Sequence, residues 1–247
     1  MTPMLAFCMP YYKNPGMLAQ QYQVWSEYPE ALKAQIEIVL VDDGSPSPAV
    51  DVPRPEGLPA LRIYRVLEDR LWHQHGARNL AAKEAAAPWL FLTDMDHVLP
   101  AKSLEALLGR LNYDVVYTFH RLDAPRMTPT LNDRGQEKLH VNTFAMPRAY
   151  FWKVGGYDED CVGYGTDSYF RRRLFAERRP VHLADVPVIR YAREVIPDAS
   201  TCEAGVDPRV LRNRGRRVVE TRTRLEDKRR RGETAPLVLD FPWMRVI

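Results

Sequence analysis

Phe91-Leu92-Thr93-Asp94-Met95-Asp96 decides how the rest of the chain is read. Mostly apolar residues that read as a buried strand run into two carboxylates separated by one residue. A strand end that offers Asp-x-Asp in a loop suits a divalent cation, because hard cations take oxygen ligands and bridge carboxylates to substrate phosphates. A lone Asp-x-Asp is more often just a surface turn, so the neighbouring stretches must supply the context.

Upstream of it the chain alternates strand and helix. Residues 76–87, GARNLAAKEAAA, are strongly helix-forming, opened by Gly76 and closed before Pro88. Before them Leu61 to Val66 read as a strand, preceded by a proline-rich loop over 46–60. Ile36 to Val41 form a strand by β-branched content and stop at Asp42-Asp43-Gly44-Ser45. Residues 17–34 place Leu18, Tyr22, Trp25 and Leu32 at helical spacing, with Pro29 an interruption near the end. Residues 4–9, MLAFCM, are an apolar first strand ending at Pro10, followed by the turn chemistry of Pro-Tyr-Tyr-Lys-Asn-Pro-Gly. Each acidic cluster therefore lies at the carboxyl end of a strand in a βαβ series, where an open α/β sheet puts its ligand.

Downstream, Tyr113 to Phe119 read as a strand, and His120 to Lys138 as a polar loop or hairpin, expected to be mobile and of the irregular kind that often binds a ligand. His140 to Arg148 offer another strand and 148–154 a short helix. Gly155-Gly156-Tyr157-Asp158-Glu159 follow, and Asp167 opens the amphipathic helix DSYFRRRLFAERR. An acidic residue at a helix N-terminus is a good cap as well as a candidate base. Pro187 to Tyr191 read as a late strand.

The 247 residues, 45% of them hydrophobic, are enough for one large α/β domain or two smaller ones. Cys8, Cys161 and Cys202 are odd in number and far apart, which indicates neither a disulfide framework nor a zinc site. No apolar run approaches the roughly 18 residues of a membrane span, and MTPMLAFCMPYY lacks the pattern of a leader, so a cytoplasmic protein is expected. Residues 209–231 hold 11 Lys/Arg and 3 Asp/Glu, a balance of +8 within a chain of net +3, so the remainder is −5. There Leu211, Val218 and Leu225 recur every seven residues, a narrow apolar seam on an expected basic helix. A solvated helix and one that meets a phosphate-rich partner both fit. The apolar stretch 236–244 is expected to pack back onto the body.

The residues together resemble a GT-A fold glycosyltransferase, and glycosyltransferase family 2 in particular. The matching features, in order, are the strand ending in Pro-Tyr-Tyr, the Val-Asp-Asp-Gly-Ser strand end, the Gly-Ala-Arg-Asn helix start, and Leu-Thr-Asp-Met-Asp followed by Pro100. The resemblance implies a donor site of Pro10, Tyr12, Asp42, Asp43, Arg78 and Asp94, with Asp43 near the base and Arg78 near the diphosphate. It implies a manganese or magnesium ion on Asp94 and Asp96. The Gly-Gly-aromatic-Asp-Glu turn before an acidic helix start also matches, and implies Asp167 as general base. Gly156, Tyr157, Asp158, Glu159 and Thr166 then become acceptor-side candidates. Thr166 replaces a glutamate of the family pattern, and Arg190 stands where a metal-binding histidine is expected, leaving His182 as a possible ligand. His73, His75 and His97 cluster near the same strand ends, where the imidazoles could contact phosphate or sugar; Trp72-His73-Gln74-His75 reads equally as a surface loop.

The expected organisation is a nucleotide-sugar-binding half over 1–100, an acceptor and catalytic-base half over 101–195, and a linker, basic helix and tail over 196–247. The expected activity is metal-dependent inverting transfer from a nucleoside diphosphate sugar, with UDP-sugars favoured, to a hydroxyl. The acceptor is open between a glycan, lipid-linked saccharide or protein and a polyanion such as DNA bearing hydroxymethylated bases, the latter requiring a flipped base. A nucleotidyltransferase, which would release pyrophosphate, and a non-catalytic nucleic-acid-binding protein are the alternatives.

Overall fold

The computed structural model describes residues 2–70, 73–132, 134–159, 167–200 and 239–247, together with 219–220, 223–224, 226–228 and 230–232. Four parallel strands, β1 (Leu5–Tyr11), β2 (Ile36–Asp42), β3 (Ala60–Val66) and β4 (Trp89–Leu92), lie in the order β3-β2-β1-β4. This is the 3-2-1-4 order of a nucleotide-binding half, in which the chain builds outward from β1 to β3 and then crosses back to lay β4 on the other side of β1. The sheet continues through β8 (Phe144–Pro147), which runs antiparallel to β4, then β6 (Val116–Asp123), β9 (Pro180–Arg190) and the short β5 (His97–Val98). A two-residue strand, β7 (Thr128–Pro129), folds back on the end of β6. The sheet is therefore continuous from the first half of the chain into the second.

Period-two alternation divides the core between the two faces of the sheet. Leu5, Phe7 and Met9 of β1 pack with Leu18, Tyr22 and Trp25 of α1 (Pro15–Ser26) and with Leu104 of α4 (Ala101–Leu108). Ala6 and Cys8 face the other way, against Ala77, Leu80 and Ala81 of α3 (Gln74–Glu84) and the group containing Phe151 of α5 (Arg148–Lys153) and Phe170 and Leu174 of α6 (Asp167–Glu177). Burial pushes the Cys8 thiol well above its ordinary value, as expected of an inert core cysteine; Cys161 and Cys202 lie outside the described residues.

The helix expected over 17–34 is two helices. α1 stops at Ser26 and α2 (Glu30–Lys33) starts after Pro29, whose missing N–H and fixed φ suit a helix start better than an interior. The first turn of α1 takes its carboxylate from far along the chain: Asp198 accepts from the amides of Gly16 at 2.6 Å and Met17 at 2.9 Å. A negative charge there complements the helix dipole.

The C-terminal stretch does return to the body. β10 (Trp243–Arg245) pairs antiparallel with β3, and Phe241 is buried. Of the expected basic helix, 219–220, 223–224, 226–228 and 230 are helical. Its seam residues Leu211, Val218 and Leu225 lie outside the described residues. No helix among the described residues is long and apolar enough to cross a membrane.

Candidate active site

The ends of β1 and β2 meet in a tight arrangement. Asp42 is consumed locally: its carboxylate accepts from the amides of Ser45 and Ala49, both at 2.8 Å, and pairs with Arg65 at 2.7 Å. Burial still pushes its pKa up. Asp43 is buried beside His73, with Oδ1 3.0 Å from Nδ1, and burial raises it too despite the imidazole. Two glycines make this possible. Gly44 has φ 69°, and a Cβ there would stand 2.4 Å from the Glu68 carbonyl. A Cβ on Gly76 would meet the His73 ring at 2.3 Å, so only glycine lets that ring lie over the first turn of α3 and reach Asp43. Phe241 flanks the same ring edge-to-face at 4.5 Å. Half-buried Pro10 stands opposite Val41, and the Tyr12 hydroxyl donates to Asp69 at 3.0 Å.

Arg78 is the centre of the site. It is fully buried in α3; one terminal nitrogen donates to Asp94 Oδ1, and the other lies 3.5 Å from Asp167 Oδ1. The guanidinium also lies over the Tyr157 ring, 5.3 Å from its centre. Asp94 Oδ2 meets His140 Nε2 at 3.2 Å and the Asn142 amide at 3.4 Å. Burial alone would raise the Asp94 carboxyl, but Arg78 and then His140 outweigh it and hold it far below the usual carboxylate range. At the start of α6, Asp167 accepts from Gln74 at 3.3 Å and lies 3.2 Å from His75 Nε2. Burial again opposes, while His75 and Arg78 bring the value below ordinary, so Asp167 is ionised at neutral pH.

Asp96 Oδ1 contacts His97 Nδ1 at 2.8 Å, and the His97 ring stacks on that of His140 at 3.9 Å. Gln21, reaching across from α1, holds the turn by donating to the carbonyls of Met95 at 2.8 Å and His97 at 2.9 Å. Around this centre the buried Arg78 Nε, His97 Nε2, Asn142 Oδ1 and Tyr157 hydroxyl have no hydrogen-bond partner among the described residues. Unsatisfied buried polar atoms on residues around Arg78 and Asp94 call for an explanation, and a polar ligand is one.

The Gly-Gly-Tyr-Asp-Glu turn is fastened to α3 by Asn79, which exchanges two 2.9 Å bonds with the Tyr157 backbone and donates to Glu159 at 2.8 Å. Tyr157 stacks on Phe170 at 4.0 Å, and the Asp158 carbonyl is 3.2 Å from His75 Nδ1. The Gly156 carbonyl accepts from Arg173. Thr166 lies outside the described residues. His73 and His75 are buried, which excludes the surface-loop reading for them, and His97 is buried as well. Sequence reasoning missed Gln21, His140 and Asn142. Only His140, two residues before Asn142 in a strand candidate after a polar hairpin, gave any signal.

Carboxylate oxygens are the ligand type a hard divalent cation takes; Asp96 Oδ2 makes no hydrogen bond among the described residues, whereas both oxygens of Asp94 are engaged, Oδ1 by Arg78 and Oδ2 by His140 and Asn142, and would have to be shared with an ion. Arg190 pairs through the backbone with His97 and sits 3.6 Å from Asp123. His182 points to Glu137 instead, with Nε2 3.4 Å from Oε2.

Residues 8–173 match the family described as Glycosyl transferase family 2, two thirds of the chain. The chain belongs to glycosyl transferase family 2. Its fold agrees: a crystal structure of S. aureus TarS residues 1–349 superposes with a TM-score of 0.60 at 15% identity, covering 79% of this chain and 63% of that one. The mannosyltransferase PcManGT from Pyrobaculum calidifontis, in complex with GDP-Man and Mn2+, superposes with a TM-score of 0.57 at 19% identity, covering 76% and 57%. The fold is thus that of GT-A glycosyltransferases. Among curated proteins, validoxylamine A glucosyltransferase of Streptomyces hygroscopicus subsp. jinggangensis (strain 5008) is 26% identical over 226 residues, covering 73% of this chain. This family 2 chain spans 53% of that relative's length.

Proposed function

We propose that the protein transfers a sugar from a nucleoside diphosphate sugar to a hydroxyl acceptor with inversion at the anomeric carbon. The observation that carries this reading is the single buried guanidinium of Arg78 joining Asp94, on the donor side, to Asp167, the candidate base. In the reaction the acceptor oxygen gives its proton to Asp167 as it bonds to the anomeric carbon, and the bond from that carbon to the diphosphate breaks with its electron pair leaving on oxygen. Arg78 faces the charge that builds on the leaving group. Asp94 and Asp96 would hold Mn2+ or Mg2+, which when bound neutralises the diphosphate. Asp43, with His73 behind it, is assigned to the nucleobase, and Pro10 and Tyr12 to the same subsite. Asp42 supports it by shaping the loop.

In this reading residues 1–100 bind the donor, and 101–195 supply the base and the acceptor-side turn of Gly156, Tyr157, Asp158 and Glu159. A uridine nucleotide is the favoured donor, since TarS structures contain UDP and UDP-GlcNAc, and GDP-sugars are the alternative set by PcManGT. Family membership weighs against a nucleotidyltransferase and against a non-catalytic nucleic-acid-binding protein. A nucleic-acid acceptor rests on the +8 balance of 209–231 alone. It requires that activity on DNA fall steeply with salt.

The test is turnover across a panel of nucleoside diphosphate sugars with Mn2+ and then with a chelator. Metal-dependent release of the nucleoside diphosphate from one donor supports the reading. Release of pyrophosphate, or no turnover of any donor with water or a hydroxyl acceptor, contradicts it.

A further inference from the structure

A second constellation of side chains stands on β6 and β9, apart from the carboxylates assigned to the donor. The two strands run parallel with Thr118 opposite His182, and a bulge after Phe119 brings His120 opposite Pro187. Thr118 and His120 are two apart on β6 and so share the face toward which His182 projects. Glu137 is delivered by the hairpin after β6, where it bridges to Leu131 and where Lys138 donates its amide to the Thr130 carbonyl at 2.8 Å. Each oxygen of Glu137 then meets one imidazole: Oε1 is 2.6 Å from His120 Nδ1, and Oε2 is 3.4 Å from His182 Nε2. One nitrogen or oxygen from each residue lies within 4.8 Å of the other two, a grouping found nowhere else among the described residues.

We propose that His120, Glu137 and His182 form a second cation site, selective for a borderline divalent ion of the Zn2+ class. Two imidazoles and a carboxylate are a donor set that such ions take, with a fourth position left to water. The all-oxygen pair at Asp94 and Asp96 is suited to a harder ion. Metal bonds of about 2.1 Å set ligand atoms roughly 3.4 Å apart. Glu137 faces His182 through Oε2 at 3.4 Å and His120 through Oε1 at 2.6 Å, so it would ligate through both oxygens or turn one of them toward both imidazoles. The second sphere is in place as well: Thr118 Oγ1 lies 3.3 Å from His182 Nδ1, which leaves Nε2 facing the centre. Side-chain exposures of 21%, 27% and 32% for His120, Glu137 and His182 leave the group open to an ion from solvent. An ion here would clasp the hairpin to two central strands, and the proposal does not depend on the transferase reading.

The test uses the full chain, stripped with a chelator and titrated with Co2+ alone, then with Zn2+. The expected result is one Co2+ per chain with the strong visible absorption of a low-coordinate site, displaced by Zn2+, and a thermal midpoint that rises with Zn2+. Glu137→Gln and His182→Ala should abolish both signals, whereas Asp94→Asn with Asp96→Asn should keep them. Thr118→Val should weaken binding by about 10–100-fold, and it carries the test should either ligand variant fail to fold. A wild type without the absorption, or an absorption that survives Glu137→Gln and His182→Ala, overturns the proposal.

Discussion

Replacing Arg78 by methionine keeps the length and apolar stem of the side chain and removes the charge on which two carboxylates depend. Arg78 has no exposed surface, and in the variant Asp94 Oδ1 and Asp167 Oδ1 both lose their guanidinium. Truncating one partner of a buried ion pair costs about 3–5 kcal/mol, because the other charge stays buried. Asp94 is 26% exposed and retains His140, so the lower end applies, about 3 kcal/mol. In a chain of this size that is a fall of roughly 6–12 °C in the unfolding midpoint.

The pH dependence follows from the direction of the shifts. In the wild type Asp94 and Asp167 titrate below their unfolded values, so their stabilisation is fully present above about pH 4 and is lost as pH falls through the folded values. Without Arg78 both folded values rise, and protonation relieves the stranded charge. The variant's deficit should therefore be full at about pH 7.5 and shrink toward about pH 4.5. Urea unfolding of both proteins at the two pH values measures it, and adding Asp94→Asn to the variant should recover part of the loss. A deficit under about 0.5 kcal/mol, or one that does not change with pH, would mean that Arg78 does not hold the two carboxylates ionised.

Asp167→Asn should lower the rate of nucleoside diphosphate release by about 10²–10⁴-fold, and because Arg78 keeps its contact with Asp94 it should leave nucleotide affinity within a few-fold. Unchanged steady-state turnover would remove Asp167 from the chemistry. Asp43→Asn should weaken nucleotide binding by about tenfold or more, the worth of a hydrogen bond to a charged group, and equal affinity by calorimetry would dissociate it from the donor. Phe241→Ala should cost about 3 kcal/mol by thermal or urea unfolding, because the ring is buried and props His73 against Asp43. A variant as stable as the wild type would mean that the C-terminal strand adds nothing to the body.

Much of the donor half was legible because its signals are local. An apolar run ending at Pro10 marked β1, β-branched content marked β2, and the alanine-rich stretch before Pro88 marked α3 as a helix. The carboxylates at strand ends were visible as motifs. What stayed hidden are contacts between residues far apart in sequence. Gln21 reads as one polar residue among several on α1, yet it is 1% exposed and holds the carbonyls of Met95 and His97. Asn79 was legible as part of the Gly-Ala-Arg-Asn helix start, but not as the clamp on the Tyr157 turn. Asp198 caps a helix more than 180 positions upstream, which no pattern near either residue announces. His182 was weighed as a ligand for the donor's ion, and its partner turned out to be a glutamate in the hairpin, whose placement depends on how the strands pair.

Calorimetric titration of UDP and GDP into the wild type and Asp96→Asn, each with Mn2+ and then with a chelator, tests the central claim most directly. One of the nucleotides should bind only with the metal ion, and at least about tenfold more weakly to Asp96→Asn, while the variant's unfolding midpoint in chelator is unchanged. Equal affinity with metal and with chelator, or equal affinity in wild type and variant, would contradict it.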